Sequence, residues 1–223
     1  MPTLAGTIQP APPGVRGFDA DLPISAAAAR EFAARGYRFC LRYVGRLEMH
    51  ASDLTTAEAQ AILDAGLALM VVQHVESDDG WTPGGPLGTT YGTSAAAFAQ
   101  AIGVPPGVNV WLDLEGVTPG VDPADVIAYC ENWYDRVAAA GYVPGVYVGW
   151  HPGLTNQQLY DLKFQHYWGA YNVDASIPNR GWCLKQMPGT GGTIADIATS
   201  DYDDDVTITD ALGGTVTWLT AAP

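Results

Sequence analysis

The chain has 223 residues and a formal charge of −14, from 24 acidic against 10 basic side chains. That length suits one domain with a sizeable core, and 48% apolar against 15% charged residues marks a folded, loop-rich globular protein. No cluster of Lys and Arg occurs, so a phosphate backbone would be repelled and nucleic acid is not an expected partner. Cys40, Cys130 and Cys183 lie far apart in apolar stretches. They lack zinc-site spacing and the even count of a disulfide framework, and are expected as buried free thiols.

The opening "MPTLAGTIQPAPPGVRG" has neither a basic start nor a continuous apolar stretch, so it reads as neither signal peptide nor anchor. No later segment approaches the ~18 apolar residues of a membrane span, and the chain is expected to be soluble. Residues 1–14 are expected to be an irregular arm, with 15–223 forming the folded domain.

The first strand is expected at "VRGFDA", and a helix at "SAAAAREFAARG" with Ser25 as cap and Gly36 as stop. The strand "YRFCLRYVG" follows, then the helix "LTTAEAQAILDAG" capped by Thr55 or Thr56, then the nearly all-apolar strand "LALMVVQHV". A long loop, "ESDDGWTPGGPLGTTYG", is expected before the helix "TSAAAFAQAIG"; Trp81 within it reads as a little-buried candidate lid. Strand 108–116, "VNVWLDLEG", comes next. The clearest helix, "DPADVIAYCENWYDRVAAAG", has Asp122 as cap and Pro123 in its first turn. Strand "VPGVYVGWH", short helix "TNQQLYDLKF", strands "QHYWGAYN" and "GWCLKQMP", and a last strand within "SDYDDDVTI" complete the series.

This alternation of strand and helix, with about eight strands, predicts an α/β fold: a single-domain, irregular TIM-type (β/α)8 barrel with the helix between its last strands weak or missing. An open doubly wound sheet is the alternative. The turn "GFDADLP", however, lacks the glycine pattern that cradles a dinucleotide, and no cofactor or metal is expected.

Each strand runs apolar first and polar or aromatic last: Asp19, Arg42 with Tyr43, Gln73 with His74, Asp113 with Glu115, Tyr147 with Trp150, Tyr171 with Asn172, and Gln186. In a parallel barrel those ends meet on the face that carries active sites. Residues 113 and 115 are about 6.6 Å apart along a strand and point the same way. Two such carboxyls suit glycosidic-bond cleavage, where one is held protonated as the acid and the other stabilises or attacks the anomeric carbon. A D-x-E triplet can equally cap a helix or bind a metal, and His74 alone can be a satisfied core residue. "DYDDD" lacks the glycine of an EF-hand loop. Trp133 falls on helical spacing and reads as core, whereas Trp150 and Trp168 at strand ends suit either core packing or stacking on a sugar face.

The ordered motifs "GFDADLP", "QHV", "WLDLEG", "GYVPGVYVGW", "YWGAYN", "CLKQMPG" and "SDYD" resemble the glycoside hydrolase family 25 lysozymes over nearly the whole chain. "FCLRYVGR", "LTTAEAQAILDAGLALMVV" and "YGTSAAAFAQAIGVP" are similar to the bacterial glycoside-hydrolase-like domains of unknown function related to them. The resemblance implies an N-acetylmuramidase-type, retaining cleavage of peptidoglycan, with this polysaccharide as the partner and the cell wall as the place of action, reached by non-classical release or within a larger assembly. It implies Glu115 as proton donor, Asp113 orienting the substrate N-acetyl group, Asp19 as the first-strand acid and Asp201 as that of the last strand. Arg42, His74, Tyr147, Trp150, Tyr171 and Gln186 are the expected substrate-binding residues. Two positions depart from the lysozyme pattern: Asp21 stands where a Ser is usual, and "RYV" with Arg42 where a Lys is usual. The alternative is a wall-binding or structural module with the same barrel and no turnover; a metal-dependent hydrolase built on "DYDDD" is more remote.

Overall fold

The computed structural model describes residues 3–77, 79–172, 176–189, 193–195, 197–198 and 201–222. In chain order the elements are β1 (Gly6–Pro10), β2 (Arg16–Ala20), α1 (Ala26–Ala34), β3 (Phe39–Val44), α2 (Thr56–Asp64), β4 (Ala68–Gln73), α3 (Gly85–Ile102), β5 (Asn109–Leu114) and α4 (Pro123–Ala139). They continue with β6 (Val143–Val148), α5 (Asn156–Asp161), β7 (His166–Gly169), β8 (Leu184–Met187), β9 (Thr193–Ile194), β10 (Ile197–Ala198), β11 (Asp203–Thr207) and β12 (Thr217–Ala221).

Local chemistry sets the alternation. Ser25 accepts from the Ala28 amide at 3.1 Å to open α1, and Thr55 accepts from Glu58 at 3.1 Å to open α2. Asp122 accepts from Ala124 at 2.9 Å ahead of Pro123, and Thr155 with Gln158 forms a full capping box at α5. The short apolar runs between these helices become strands. β2, β3, β4, β5, β6, β7, β8 and β11 close an eight-stranded barrel with the helices around it.

The strands from β2 to β8 pair in parallel, but β11 enters antiparallel between β8 and β2. A parallel return needs a crossover that carries the chain back to the far end of the barrel. Among the described residues the stretch from β8 to β11 holds only the small β9–β10 hairpin and no helix. The chain therefore stays at the mouth, and the start of β11 lies there rather than its end. Of the expected run "SDYDDDVTI", Ser200 is outside the described residues.

Two further expectations change. Residues 6–10 of the supposed irregular arm are β1, which pairs with β12, and β12 in turn meets β4 at Leu219 and Leu69. Every residue of β1 is exposed and its partner lies at the other end of the chain, so no local apolar alternation marks it. The bottom of the barrel receives this pair of terminal strands through Asn109, whose Oδ1 accepts from the Thr217 amide at 2.6 Å. Helix α3 also begins eight residues earlier than expected, taking in half of the supposed loop. Glycines hide it from propensity, yet packing requires them: a Cβ at Gly88 would lie 2.1 Å from the Tyr129 carbonyl oxygen and one at Gly92 2.7 Å from that of Trp133, both on α4.

Inside the barrel Trp111 and Trp168 meet edge to face at 5.9 Å, with Gly145 leaving room for the Trp111 ring. Trp133 is buried outside the barrel as expected, and its indole donates to Gln73. All three cysteines are buried free thiols. Among the described residues no helix is long and apolar enough to cross a membrane. Gly88→Ala is expected to lose about 1–3 kcal/mol of stability, read as a lower urea midpoint, because the methyl meets α4 backbone rather than a yielding side chain.

Candidate active site

Period-two alternation, carried round the ring by the strand register, sends one layer of polar side chains into the mouth. Asp19 comes from β2, Tyr43 from β3, Asp113 from β5, Tyr147 from β6, Gln186 from β8 and Asp203 from β11, while His74 and Glu115 follow directly on β4 and β5. Asp19, Asp113, Glu115 and Asp201, the four acids expected to converge, line one cavity of about 350 Å3, joined by Asp21 and Asp203. Asp113 is 4% exposed on the cavity floor; Glu115 is half-buried at its edge.

Glu115 is placed from two sides. The Trp81 indole donates to the Glu115 carbonyl at 2.6 Å, and the Gly116 amide donates to the Trp150 carbonyl at 2.7 Å. A Cβ on Gly149 would sit 2.1 Å from Glu115 Oε2, so only a glycine there lets the carboxyl lie against the backbone beyond β6. Trp81 is accordingly a buried anchor, edge-on to Tyr129 at 5.1 Å, and not the exposed lid expected of it.

Gln186 ties the opposite wall together. Its Nε2 donates to Asp203 Oδ2 at 2.9 Å and Asp19 Oδ2 at 3.2 Å, and its Oε1 accepts from the Tyr147 hydroxyl at 3.2 Å and the Tyr171 amide at 3.4 Å. Beneath lies Asp205, buried, with Oδ1 accepting from the Trp168 indole at 2.8 Å and the carboxyl hydrogen-bonded to Asp19. Among the described residues its Oδ2 meets no N–H or O–H donor. Two carboxyls in contact under burial cannot both ionise, and a proton on Asp205 Oδ2 given to Asp19 satisfies both groups. Burial, and then the Asp203 carboxylate, push the Asp19 acid up to about 7; burial, and then Asp19, hold Asp205 well above the usual carboxylate range.

His74 stacks on Tyr43 at 4.7 Å and places Nε2 3.0 Å from Asp53 Oδ1, whose carboxyl also accepts from the His50 amide at 2.6 Å. Burial lowers the imidazole pKa, against the pull of Asp53. The ring is thus neutral at pH 7, with Nε2–H given to Asp53 and Nδ1 left as an acceptor.

The remaining expected residues divide. Tyr147 is buried, tilted on Trp168 at 4.5 Å, and supports the floor. Tyr171 and Trp150 stand exposed on the rim, whereas Trp168 is wholly core. Arg42 does not reach the cavity. It is fully buried between β3 and α2, its Nε 2.6 Å from Glu58 Oε1, with the Ala20 and Ser52 carbonyls accepting from its other nitrogens. On β3 it alternates with Leu41 and Tyr43 and so faces outward, the side opposite to the mouth. Asp201 lines the cavity from just ahead of β11, so the inward strand acids are Asp203 and Asp205. Asp204 between them faces out to Arg16 and Tyr37, at 3.0 and 2.5 Å, which splits the "DYDDD" run across two faces. Asp203, Asp205 and Asp53 were not anticipated. Alternation along "DYDDD" carried the signal for the first two.

Residues 30–207 match the family described as Rv2525c-like, glycoside hydrolase-like domain. Among solved structures the chain is similar to the Tat-secreted protein Rv2525c of Mycobacterium tuberculosis, with TM-score 0.64 and 14% identity over 88% of this chain and 96% of that one. It is similar to a muramidase from Trichobolus zukalii, with TM-score 0.59 and 15% identity over 86% and 93%. The bacterial lysozyme from Streptomyces coelicolor gives 0.58 and 16% over 91% and 93%. No curated protein sequence matches the chain. At these identities the solved structures speak for the fold.

The shared proton gives a signed pH dependence. With the Asp19 pKa raised on folding, the folded state holds more protons than the unfolded one between about pH 4 and 7, so stability falls as pH rises through that window. Asp205→Asn reproduces the protonated acid, its amide N–H donating to Asp19 and its oxygen accepting from Trp168. Its melting temperature should exceed that of the wild type at pH 8 and approach it at pH 5. Arg42→Met leaves Glu58 buried without its cation and should cost about 3–5 kcal/mol in urea unfolding, with much of the loss recovered in Arg42→Met/Glu58→Leu.

Proposed function

The chain belongs to the Rv2525c-like, glycoside hydrolase-like family, and from that premise we propose that it hydrolyses a glycosidic bond of bacterial peptidoglycan at the cell wall, with retention. The observation that carries this reading is the meeting of Asp113 and Glu115 with the β2 and β11 acids on one cavity at the barrel mouth.

Cleavage needs a proton delivered to the leaving oxygen as the bond to the anomeric carbon breaks. Glu115 has the position for it, at the cavity edge with its backbone clamped on both sides. Asp113, on the floor two residues earlier, orients the substrate N-acetyl group by accepting its N–H. The N-acetyl carbonyl oxygen then attacks the anomeric carbon in place of a protein nucleophile. Glu115, now a carboxylate, takes a proton from the water that opens the resulting ring, and two inversions give net retention. Among these acids Asp19 is held by Gln186 and Asp205, which suits a wall for the sugar better than a proton donor in turnover. The neutral His74 offers Nδ1 to a sugar hydroxyl. Relatives named muramidase and lysozyme, and one named as Tat-secreted, support the substrate class and the place of action.

Release of reducing ends from purified peptidoglycan is expected for the wild type, with a fall of about 10²-fold or more for Glu115→Gln, the scale of a lost general acid. Equal rates for the two proteins, or an inert wild type across pH 4 to 8 and several wall types, would remove the hydrolase reading and leave a wall-binding module.

A further inference from the structure

The barrel closes on itself, and the sheet stays open only where β12 and β1 extend it: among the described residues β1 pairs with β12 on one side and with no strand on the other. The direction of its free main-chain groups follows from its neighbours. The Val216 carbonyl accepts from the Ala11 amide at 2.7 Å, whereas the Thr217 amide points the other way, to Asn109. Main-chain groups alternate in direction along a strand, so Trp218 and Thr220 turn theirs toward β1, where Gln9 and Thr7 stand opposite, and Leu219 turns its own toward β4. Gly6, Ile8 and Pro10 therefore aim their groups outward, and all three are exposed. Ile8, a large apolar side chain, is at the centre of this row.

Edges of this kind are commonly guarded by charge. This one is not. Every one of the 24 acidic and 10 basic side chains falls between Arg16 and Asp210, so β1, β12 and the segments joined to them carry none. At a net charge of −14 the chain as a whole repels a second copy, and the ribbon is where that repulsion has no local source. The row is also self-complementary. About a two-fold axis through Ile8, Ile8 faces Ile8 of the second copy and exchanges N–H···O bonds with it, while the Gly6 amide of each copy meets the Pro10 carbonyl of the other. Pro10 has no N–H to give, and that loss falls at the ends of the row, where the Gly6 carbonyl stays with water. The exposed Ile8 side chains then cover each other as a cross-strand aliphatic pair.

We propose that the β1 edge is a self-association surface, on which a second copy of this chain lays its own β1 antiparallel and joins two barrels at their closed ends with both mouths open. Five residues a side is a fraction of the roughly 20–30 of a standard interface, so the dimer is weak. Sedimentation velocity of the full chain from about 10 µM to about 1 mM, at about 0.05 M and about 0.5 M sodium chloride, tests it. A concentration-dependent dimer is expected, tighter at the higher salt because screening removes repulsion between two acidic bodies. Ile8→Lys sets like charges opposite each other and should weaken association about ten-fold or more at the lower salt. Ile8→Pro removes an outward amide that β12 does not use and should abolish the dimer over the same range, whereas Ile8→Val should match the wild type. Melting temperatures equal to that of the wild type in dilute solution show that the variants fold. A wild type that stays monomeric throughout, a dimer indifferent to both Ile8→Lys and Ile8→Pro, or one that loosens as salt rises overturns the proposal.

Discussion

The geometry of this mouth depends on one reversed strand. Because β11 runs against β2, Asp203 faces Asp19 directly across the pair and Asp205 lies one inward step below, beside Gln186 of β8. Had a helix carried the chain back to make β11 parallel, the same acids would have begun at the closed end of the barrel. The reversal brings three carboxyls into a patch where burial penalises each charge, and the protein answers with a carboxyl pair that shares a proton and a glutamine amide that donates to two of them. A proton buried in this way costs less than two buried anions, and it fixes which oxygen donates and which accepts.

The acid pair also explains an asymmetry across the cavity. On the β2 and β11 side every inward carboxyl is engaged by a neighbour from another strand, so that wall is rigid and its charge is reduced. On the β5 side the clamps act on the backbone of residues 115–117, through Trp81, Trp150 and His151, and the Glu115 side chain lies along Gly149. Rigid backbone beneath a half-buried carboxyl suits the proton-donor role proposed for Glu115, because it holds the group in place while leaving it access to water.

Much of this was legible in the sequence, and the reasons are local. Caps at Ser25, Thr55 and Asp122 and the apolar runs between them determine where helices and strands alternate, and about eight alternating strands are the number that closes a barrel. Asp19, Asp113 and Glu115, at the ends of β2 and β5, then had to meet, whereas Asp201 joins them only because β11 is reversed. What escaped was whatever depends on distant partners. β1 has no apolar face of its own, α3 carries glycines that only its contact with α4 explains, and Arg42 looked like a groove residue because its position is a strand end, although alternation turns it toward Glu58. Asp203 and Asp205 escaped because the direction of β11 decides which acids of "DYDDD" are at the mouth, and direction follows from the missing helix rather than from the run itself.

Trp81 and Trp150 show how the same residue type takes opposite duties within one assembly. Both sit in loops at the mouth, and both touch the segment that follows Asp113. Trp81 spends its polar N–H on the Glu115 carbonyl and buries its ring against Tyr129, so its contribution is to hold backbone. Trp150 uses only its main-chain carbonyl for that purpose and leaves the ring half in solvent, stacked on a histidine whose backbone is in a rare conformation. The ring thus leaves apolar area in contact with solvent. Among the described residues, the exposed Trp150 and Tyr171 both follow barrel strands at the open end, Trp150 beyond β6 and Tyr171 beside Gln186. Glu115 thus stands between the acid-lined cavity and the exposed Trp150 ring.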